Sequence, residues 1–402
     1  MKMNMELTKV KLSDVARVEI SGVDKKSKPG QKSVRLCNFV DVYHNWAITQ
    51  DMRDSFMEAT ASDKEIEALS IKKGQVAFTK DSETRDDIGI PTYIADDFDD
   101  VVLGYHNALI TPDERKLNGK YLNAFMHSSY IQKYFENNAS GSGQRYTLSN
   151  DTVNSIPILL PTIKEQEKIG NLFSFIDRKI ALNKKMNQKL EAMAKRLYDY
   201  WFVQYDFPDK NGHPYKTTGG PMTYNPTLKR EIPAGWEVKK CSEICRILTG
   251  KEDANFASGN GKFKFFTCSS EPSLCDKAAF EGHAVLIAGN GDFNVKHYSG
   301  KFNAYQRTYV LIPPDKYYAM LYIAALERID SFKSGSNGSI VKFITKGDVE
   351  NICVFDGAPA ILYSVINNLI FQYEKISLEI EKLSLFRNKL LPLLMNGQVT
   401  VA

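Results

Sequence analysis

At 402 residues the chain is too long for one ordinary domain, and two or three folded units are expected. It is 43% hydrophobic and 25% charged, enough apolar material for real cores, and its net charge of +4 permits nucleic acid as a partner without demanding it. No run of 18 apolar residues and no signal peptide is recognised, so no membrane partner and a reducing cytoplasmic location are expected.

Residues 1–160 read as a first mixed α/β domain. Val34-Arg-Leu-Cys-Asn-Phe-Val40 alternates like a strand, Gly74-Gln-Val-Ala-Phe-Thr79 follows a turn into a second, and Asp100-Val-Val-Leu103 is a short third. Lys120–Asn138 is amphipathic, with Leu122, Phe125, Met126, Tyr130 and Tyr134 at helical spacing. Ser140-Gly-Ser-Gly143 reads as a flexible loop ahead of Arg145 and Tyr146.

A long helix is expected over 161–206. Thr162 and Glu165 form a capping box ahead of the apolar period. One seven-residue frame then holds, with Ile169, Ile176, Asn183, Leu190 and Leu197 at one seam position and Phe173, Ile180, Asn187, Ala194 and Trp201 at the other. Roughly 40 residues at 1.5 Å each make a rod of about 60 Å. It carries nine basic and five acidic residues between Lys164 and Asp199, leaving one sticky seam on a solvated helix.

Such a seam needs a partner, and adding 196 to each number finds one. Val153-Asn-Ser-Ile156 becomes Val349-Glu-Asn-Ile352, and Lys179-Ile-Ala-Leu182 becomes Lys375-Ile-Ser-Leu378. Read without a gap, the offset puts Ile376, Leu383, Phe386, Leu390 and Leu393 in the second seam, over 356–402. The two helices are expected to pack as an antiparallel coiled coil, with Asn183 and Asn187 either fixing register inside it or facing solvent where the helices diverge.

The stretch Asp206–Pro233 is rich in Gly and Pro and reads as a linker at the start of a second domain over 207–355, which proceeds from Ile232-Pro-Ala-Gly-Trp-Glu-Val238. A second repeat appears there at offset 229: Leu12-Ser-Asp-Val15 matches Cys241-Ser-Glu-Ile244, and Val34-Arg-Leu36 matches Phe263-Lys-Phe265. Gly74–Phe78 then meets Gly282–Leu286 at offset 208, because the loops differ in length. Tyr317–Phe332 is again helical and Ser334-Gly-Ser-Asn-Gly338 again a flexible loop. The fold expected is α/β (α+β): two similar mixed domains, separated and joined by two long antiparallel coiled-coil helices, in a pseudo-two-fold internal repeat.

Two similar modules on a rigid rod suit a long regular ligand with two half-sites, and duplex DNA is the obvious one. Candidate contacts in the first module are the basic loop Lys25, Lys26, Lys28 and Lys32, then Lys80 and Arg85, then Gln144, Arg145 and Tyr146. The second offers Lys251, Lys262 and Lys264, then Lys296, His297 and Lys301, then Arg307. Lys and Arg engage phosphates, while Arg, Asn and Gln also read base edges.

Catalytic signals are weak. The six cysteines lack a paired CxxC, and Cys241, Cys245, Cys268 and Cys275 have poor zinc spacing, so ordinary buried thiols are expected. Tyr224-Asn-Pro-Thr227 lacks the second Pro and aromatic of an amino-methyltransferase box and reads as a turn. Gly289-Asn-Gly-Asp292 has hairpin residues, and Pro208-Asp-Lys210 is a lone fragment of a nuclease-like pattern.

Leu160-Pro-Thr-Ile-Lys-Glu-Gln166 followed by Ile169, and Ile176-Asp-Arg-Lys-Ile180, resemble the central region of specificity subunits of type I restriction–modification systems. Trp201-Phe-Val203 with Asp206-Phe207, Ile232-Pro-Ala-Gly-Trp236 and Phe386-Arg-Asn-Lys-Leu-Leu-Pro-Leu-Leu-Met-Asn-Gly397 are similar to that family too. The first module departs in lacking the Pro-Gly-Trp entry, and the C-terminal copy has Asp356-Gly-Ala-Pro359 in place of Pro-x-x-x-Glu-Gln. The resemblance implies two target-recognition domains, each reading half of a bipartite, asymmetric double-stranded DNA site, with the helices as spacer and docking surface. It implies two methyltransferase and two restriction subunits as partners, which hold the S-adenosylmethionine, ATP and Mg chemistry, leaving this chain without cofactor or catalysis. Apolar faces near Tyr198, Trp201 and Phe202 would either receive a partner or pack against the module beside them. The alternatives are a fragment of a fused restriction–methylation enzyme, a protein-only coiled-coil adaptor, and a silent specificity cassette.

Overall fold

The computed structural model describes residues 6–401 apart from Ser142, Asp292 and 335–342, so Gly335–Gly338 of the predicted second loop, Ser142 of the first and Asp292 of the predicted turn lie outside the described residues. The chain divides into two units: residues 1–182 with 380–402, and residues 183–379.

The first unit has a five-stranded sheet in the order Ala16–Ile20, Asn107–Pro112, Val76–Thr79, Pro91–Ile94, Ala47–Ile48. A three-stranded sheet, Met57–Ala61, Lys32–Cys37, Val101–Leu103, adjoins it, with the last pair parallel. The predicted strand over 34–40 stops at Cys37, because the Asn38 amide donates to the Asp41 carboxylate (2.7 Å) and starts the helix Phe39–His44. The predicted helix over 120–138 is broken into Gly119–Met126 and Ser129–Asn138. Val76, Phe78, Ile110, Tyr121, Phe125 and Phe135 pack with Ile169, Phe173, Leu391 and Leu394 of the long helices into one core.

The second unit has a six-stranded sheet in the order Ile247–Thr249, Thr308–Leu311, Phe280–Ala288, Val295–Ala304, Phe263–Phe266, Ser273–Cys275. The helix Tyr318–Ser334 covers it, and Val285, Leu311, Tyr318 and Leu321 share a core with Leu362, Ile366 and Ile370. Asp206–Pro233 is not a linker but a folded part of this unit. The Asp206 carboxylate accepts from the Thr217 amide (2.7 Å) and hydroxyl (2.6 Å), Phe207 stacks between Tyr215 (4.5 Å) and Trp236 (4.9 Å), and Met222–Asn225 pairs with Arg230–Pro233. Gly and Pro set its turns while its aromatics join the core. Tyr224–Thr227 lies at that hairpin's bend, where Asn225 Oδ1 accepts from the amides of Thr227 and Leu228.

Each unit is closed by the same strand pair. Thr8–Lys11 runs antiparallel to Pro157–Leu160, with Lys11 opposite Pro157. Glu237–Lys240 runs antiparallel to Cys353–Asp356, with Lys240 opposite Cys353. The short turns that follow, Leu12–Asp14 and Cys241–Ile244, are both capped by a carboxylate reaching back, Asp14 to the Lys11 amide (3.1 Å) and Glu243 to the Lys240 amide (2.6 Å). The repeats at offsets 229 and 196 are therefore structural repeats.

The central helix runs Ile163–Tyr198, and Thr162 and Glu165 exchange the expected capping hydrogen bonds (3.1 and 3.4 Å). The terminal helix runs Ala360–Met395. They are antiparallel: Asp177 meets Arg387 (3.7 Å) in the first unit, and Asn183 meets Glu379 (3.0 Å) and Asn187 meets Ser377 (2.8 Å) in the second. Both asparagines are buried in the seam and hydrogen-bonded, which decides their role in favour of the interior. On the central helix Ile169, Phe173, Ile176 and Ile180 are buried as predicted, while Leu190 and Leu197 are half-buried.

On the terminal helix the predicted seam is off by one residue. Ile366, Ile370, Leu391 and Leu394 are buried, Ile376, Leu383 and Leu390 are only half-buried, and Phe386 is exposed. The strand pairs keep offset 196, but two residues separate Leu160 from Ile163 where three, Gly357–Pro359, separate Asp356 from Ala360. That extra residue turns the helix by about 100°, since 3.6 residues make a turn. Arg387 is brought inside by it and lies over the Trp46 ring at 4.6 Å, with Trp46 stacked on His127 at 4.0 Å. Burial, helped by the Arg387 charge, pushes the His127 pKa down to about 3 and keeps that ring neutral.

Tyr198, Trp201 and Phe202 are buried rather than presented to a partner. The central helix ends in one π-helical turn, Asp199–Val203, which swings Phe202 onto Trp236 (5.4 Å), Phe355 (6.1 Å) and Tyr363 (5.9 Å).

Candidate nucleic-acid interface

Five of the first unit's candidates are gathered by one small ribbon. Tyr146–Thr147 pairs with Asp81–Ser82 on one side and Ser140–Gly141 on the other. This places Arg85 over the Tyr146 ring at 5.0 Å, a cation–π contact. Lys80 is half-buried and donates to the Thr147 hydroxyl (2.9 Å), with Asp81 at 3.7 Å, so it braces the ribbon rather than standing free. Gln144 and Arg145 are exposed on the connection between the strands.

Sequence reading missed two members of this cluster. Asp81 accepts from His106 Nδ1, and Arg145 Nη2 donates to His106 Nε2 (3.0 Å). His106 lies 25 residues beyond Asp81 in the turn after Val101–Leu103, so only pairing of the strands brings it there. Burial raises the Asp81 carboxyl pKa, but hydrogen bonds from Thr147 and His106 and the Lys80 charge outweigh it and hold the carboxyl below its usual value. The cluster is thus a connected array: the Asp81 carboxylate, the His106 imidazole and the Arg145 guanidinium joined by hydrogen bonds.

The basic loop is looser. Lys25, Lys26 and Lys28 are exposed; the loop is tied down by the Lys28 amide on the Thr60 hydroxyl (2.8 Å). Lys32 pairs with Asp63 at 2.7 Å, both fully in solvent, where such a pair contributes about 1 kcal/mol or less and leaves the lysine available.

In the second unit, Lys251, Lys262 and Arg307 are exposed and Lys264 is half-buried within the strand Phe263–Phe266. Lys301 is exposed beside Glu281 (3.8 Å). Two candidates are turned inward. Lys296 donates to the Thr267 carbonyl (3.3 Å) and to Asn294, and burial lowers its ammonium pKa. His297 is buried against Glu374 (2.8 Å), which also accepts from Ser299 (2.5 Å) and Tyr318. Both faces of the long strand Val295–Ala304 are covered along that stretch, so charge alone misled the reading.

Outside these clusters the helices carry exposed apolar side chains. Phe175 is 72% and Leu182 53% exposed on the central helix, and Leu378, Leu385 and Phe386 are exposed on the terminal one. Among the described residues no helix is long and apolar enough to cross a membrane, and no group of three His, Cys, Asp or Glu side chains is placed to hold a metal ion.

A sequence profile described as the type I restriction modification DNA specificity domain matches residues 4–192 and 233–354, most of the chain. The specificity subunit of the EcoDI type I restriction enzyme of Escherichia coli is 36% identical over 177 residues, 42% of this chain and 40% of that one. The MjaIX specificity subunit of Methanocaldococcus jannaschii is 23% identical over 312 residues, 70% of this chain and 69% of its own length. The alignment with the Escherichia coli protein thus spans well under two thirds of that relative. Among solved structures, the type I restriction–modification S subunit from M. genitalium matches with a TM-score of 0.60 at 15% identity, covering 100% of this chain and 98% of that one, a likeness of fold.

Proposed function

The chain belongs to the type I restriction–modification DNA specificity family, and from that membership we propose that it selects the DNA sequence on which a multisubunit enzyme acts. Each unit reads one half of a bipartite, asymmetric site. Two methyltransferase and two restriction subunits dock on the chain and carry the chemistry, with S-adenosylmethionine, ATP and Mg held by those partners. This chain contributes sequence choice without catalysis, in the cytoplasm.

One observation carries the reading: the same closing strand pair and capped turn recur in both units, while the loops between them differ. A repeated frame supports two comparable contacts with one duplex, and divergent loops support two different half-sites. The first unit offers Arg85, Arg145 and Tyr146, and the second Lys251, Lys262 and Arg307. Docking is supported by the exposed apolar residues Phe175 and Leu182, which lie seven residues apart and so on one side of the central helix. The helix pair, shared by both units, is the spacer between the half-sites.

Single-molecule methylation mapping tests this in cells that express the chain with its methyltransferase and in cells that lack it. The expected result is a methylated-adenine motif with two defined halves around an unspecified gap. An assembled complex that adds no motif would overturn the reading in favour of a protein-only adaptor or an inactive cassette.

A further inference from the structure

The turn Gly104–Asn107 contains an unusual backbone choice. His106 has φ 69°, in the left-handed region, which among non-Gly residues Asn, Asp and His enter most readily. It is held there twice, its carbonyl accepting from the Lys80 amide (2.8 Å) and its Nδ1–H donating to Asp81. Arg145 Nη2 lies 3.0 Å from His106 Nε2, and because a guanidinium can only donate, Nε2 is the acceptor in that bond. The consequence falls on Arg145. An exposed arginine on a Gly-rich connection would ordinarily sample many rotamers, yet this one is oriented by an imidazole that is itself hydrogen-bonded to a half-buried carboxylate. One N–H is used in that bond, and the residue is exposed, so the other guanidinium N–H groups are available.

We propose that Arg145 reads a guanine edge in the half-site bound by the first unit, and that His106 and Asp81 are the residues that position it. This rests on the reading that the chain selects DNA sequence. Phosphate contact needs only a mobile charge, which the exposed lysines of the 24–31 loop already supply. A bidentate bond to guanine O6 and N7 needs a planar fork at a fixed angle. Fixing the fork before binding removes the entropy that a free arginine loses on docking. Arg85 makes a cation–π contact with Tyr146, the residue next to Arg145.

The test uses the complex of this chain with its methyltransferase, comparing wild type with R145A, R145K and H106G. Glycine suits the left-handed turn, so H106G removes the imidazole while keeping the backbone. Arg145→Ala and Arg145→Lys are expected to relax one G·C position in one half-site, leaving the other half-site and the gap unchanged. The preference at that position should fall about 5- to 150-fold, the discrimination of one bidentate pair. His106→Gly is expected to relax the same position while the other half-site keeps its preference, a readout that a merely structural histidine would not move. If Arg145→Ala instead weakens binding to every sequence alike and lowers the salt slope by about one, Arg145 is a phosphate contact and the proposal fails. It also fails if the motif of all three variants equals that of wild type. A wild-type complex that selects no motif overturns the DNA reading itself, and this proposal with it.

Discussion

Replacing Leu394 with Ala, beside a control replacement of Phe386, tests which face of the terminal helix carries the first unit. Leu394 is 2% exposed and packs with Val76, Phe78 and Phe173, while Phe386 is 52% exposed. Burying a leucine fully and then truncating it costs about 2–5 kcal/mol, the lost transfer energy plus the cavity left behind. Truncating the larger but exposed Phe386 should stay within about 0.5 kcal/mol. For a unit of this size the urea slope is about 3 kcal/mol/M, so Leu394→Ala should lower the midpoint by about 1 M and Phe386→Ala hardly at all. Urea-dependent hydrogen exchange in peptides from Val76–Thr79 isolates the first unit from the second. If Phe386→Ala proved equal to or worse than Leu394→Ala, the one-residue displacement of the seam would be wrong.

Three further outcomes are expected. Burial, with the Asp199 carboxylate beside it, raises the Glu327 pKa to about 7, so the folded second unit binds a proton that the unfolded chain releases above its usual value near 4.5. The stability from that proton is present below about pH 4.5 and lost as pH rises through 7; Glu327→Gln should flatten the fall in urea midpoint between pH 5 and 8, and parallel curves would refute it. Changing Phe175 and Leu182 to Asp should prevent co-elution with the methyltransferase on a sizing column while leaving the melting temperature unchanged, because both side chains face solvent; an intact complex would count against that face. Inserting seven residues after Leu182 and seven after Glu379 preserves the seam frame and adds roughly 10 Å of helix. The methylated motif should keep both halves and gain about 3 base pairs of gap, and an altered half would contradict the spacer role.

What could be read from the residues was local or periodic. Thr162 with Glu165 announced a helix start because a capping box is formed within four residues. The strand Val76–Thr79 after its turn and the seven-residue frame through Ile169, Phe173, Ile176 and Ile180 were legible for the same reason, and so were the repeats that adjoin the closing strands. The stretch Asp206–Pro233 misled because Gly and Pro report turns and say nothing of whether Phe207 and Tyr215 find a core.

The sequence by itself determined the two-module plan, the long helices and the family, since these are carried by spacing along the chain. The tertiary structure alone decided which face of the terminal helix turns inward, because Leu385, Phe386 and Leu393 are as apolar as Leu391 and Leu394 and only the extra residue at Gly357–Pro359 distinguishes them. It also decided that Lys296 and His297 point inward, and that Asp81, His106 and Arg145 meet. Those three are brought together by strand pairing across more than sixty residues of chain, and a hydrogen bond between distant side chains leaves no mark on the local order of the sequence.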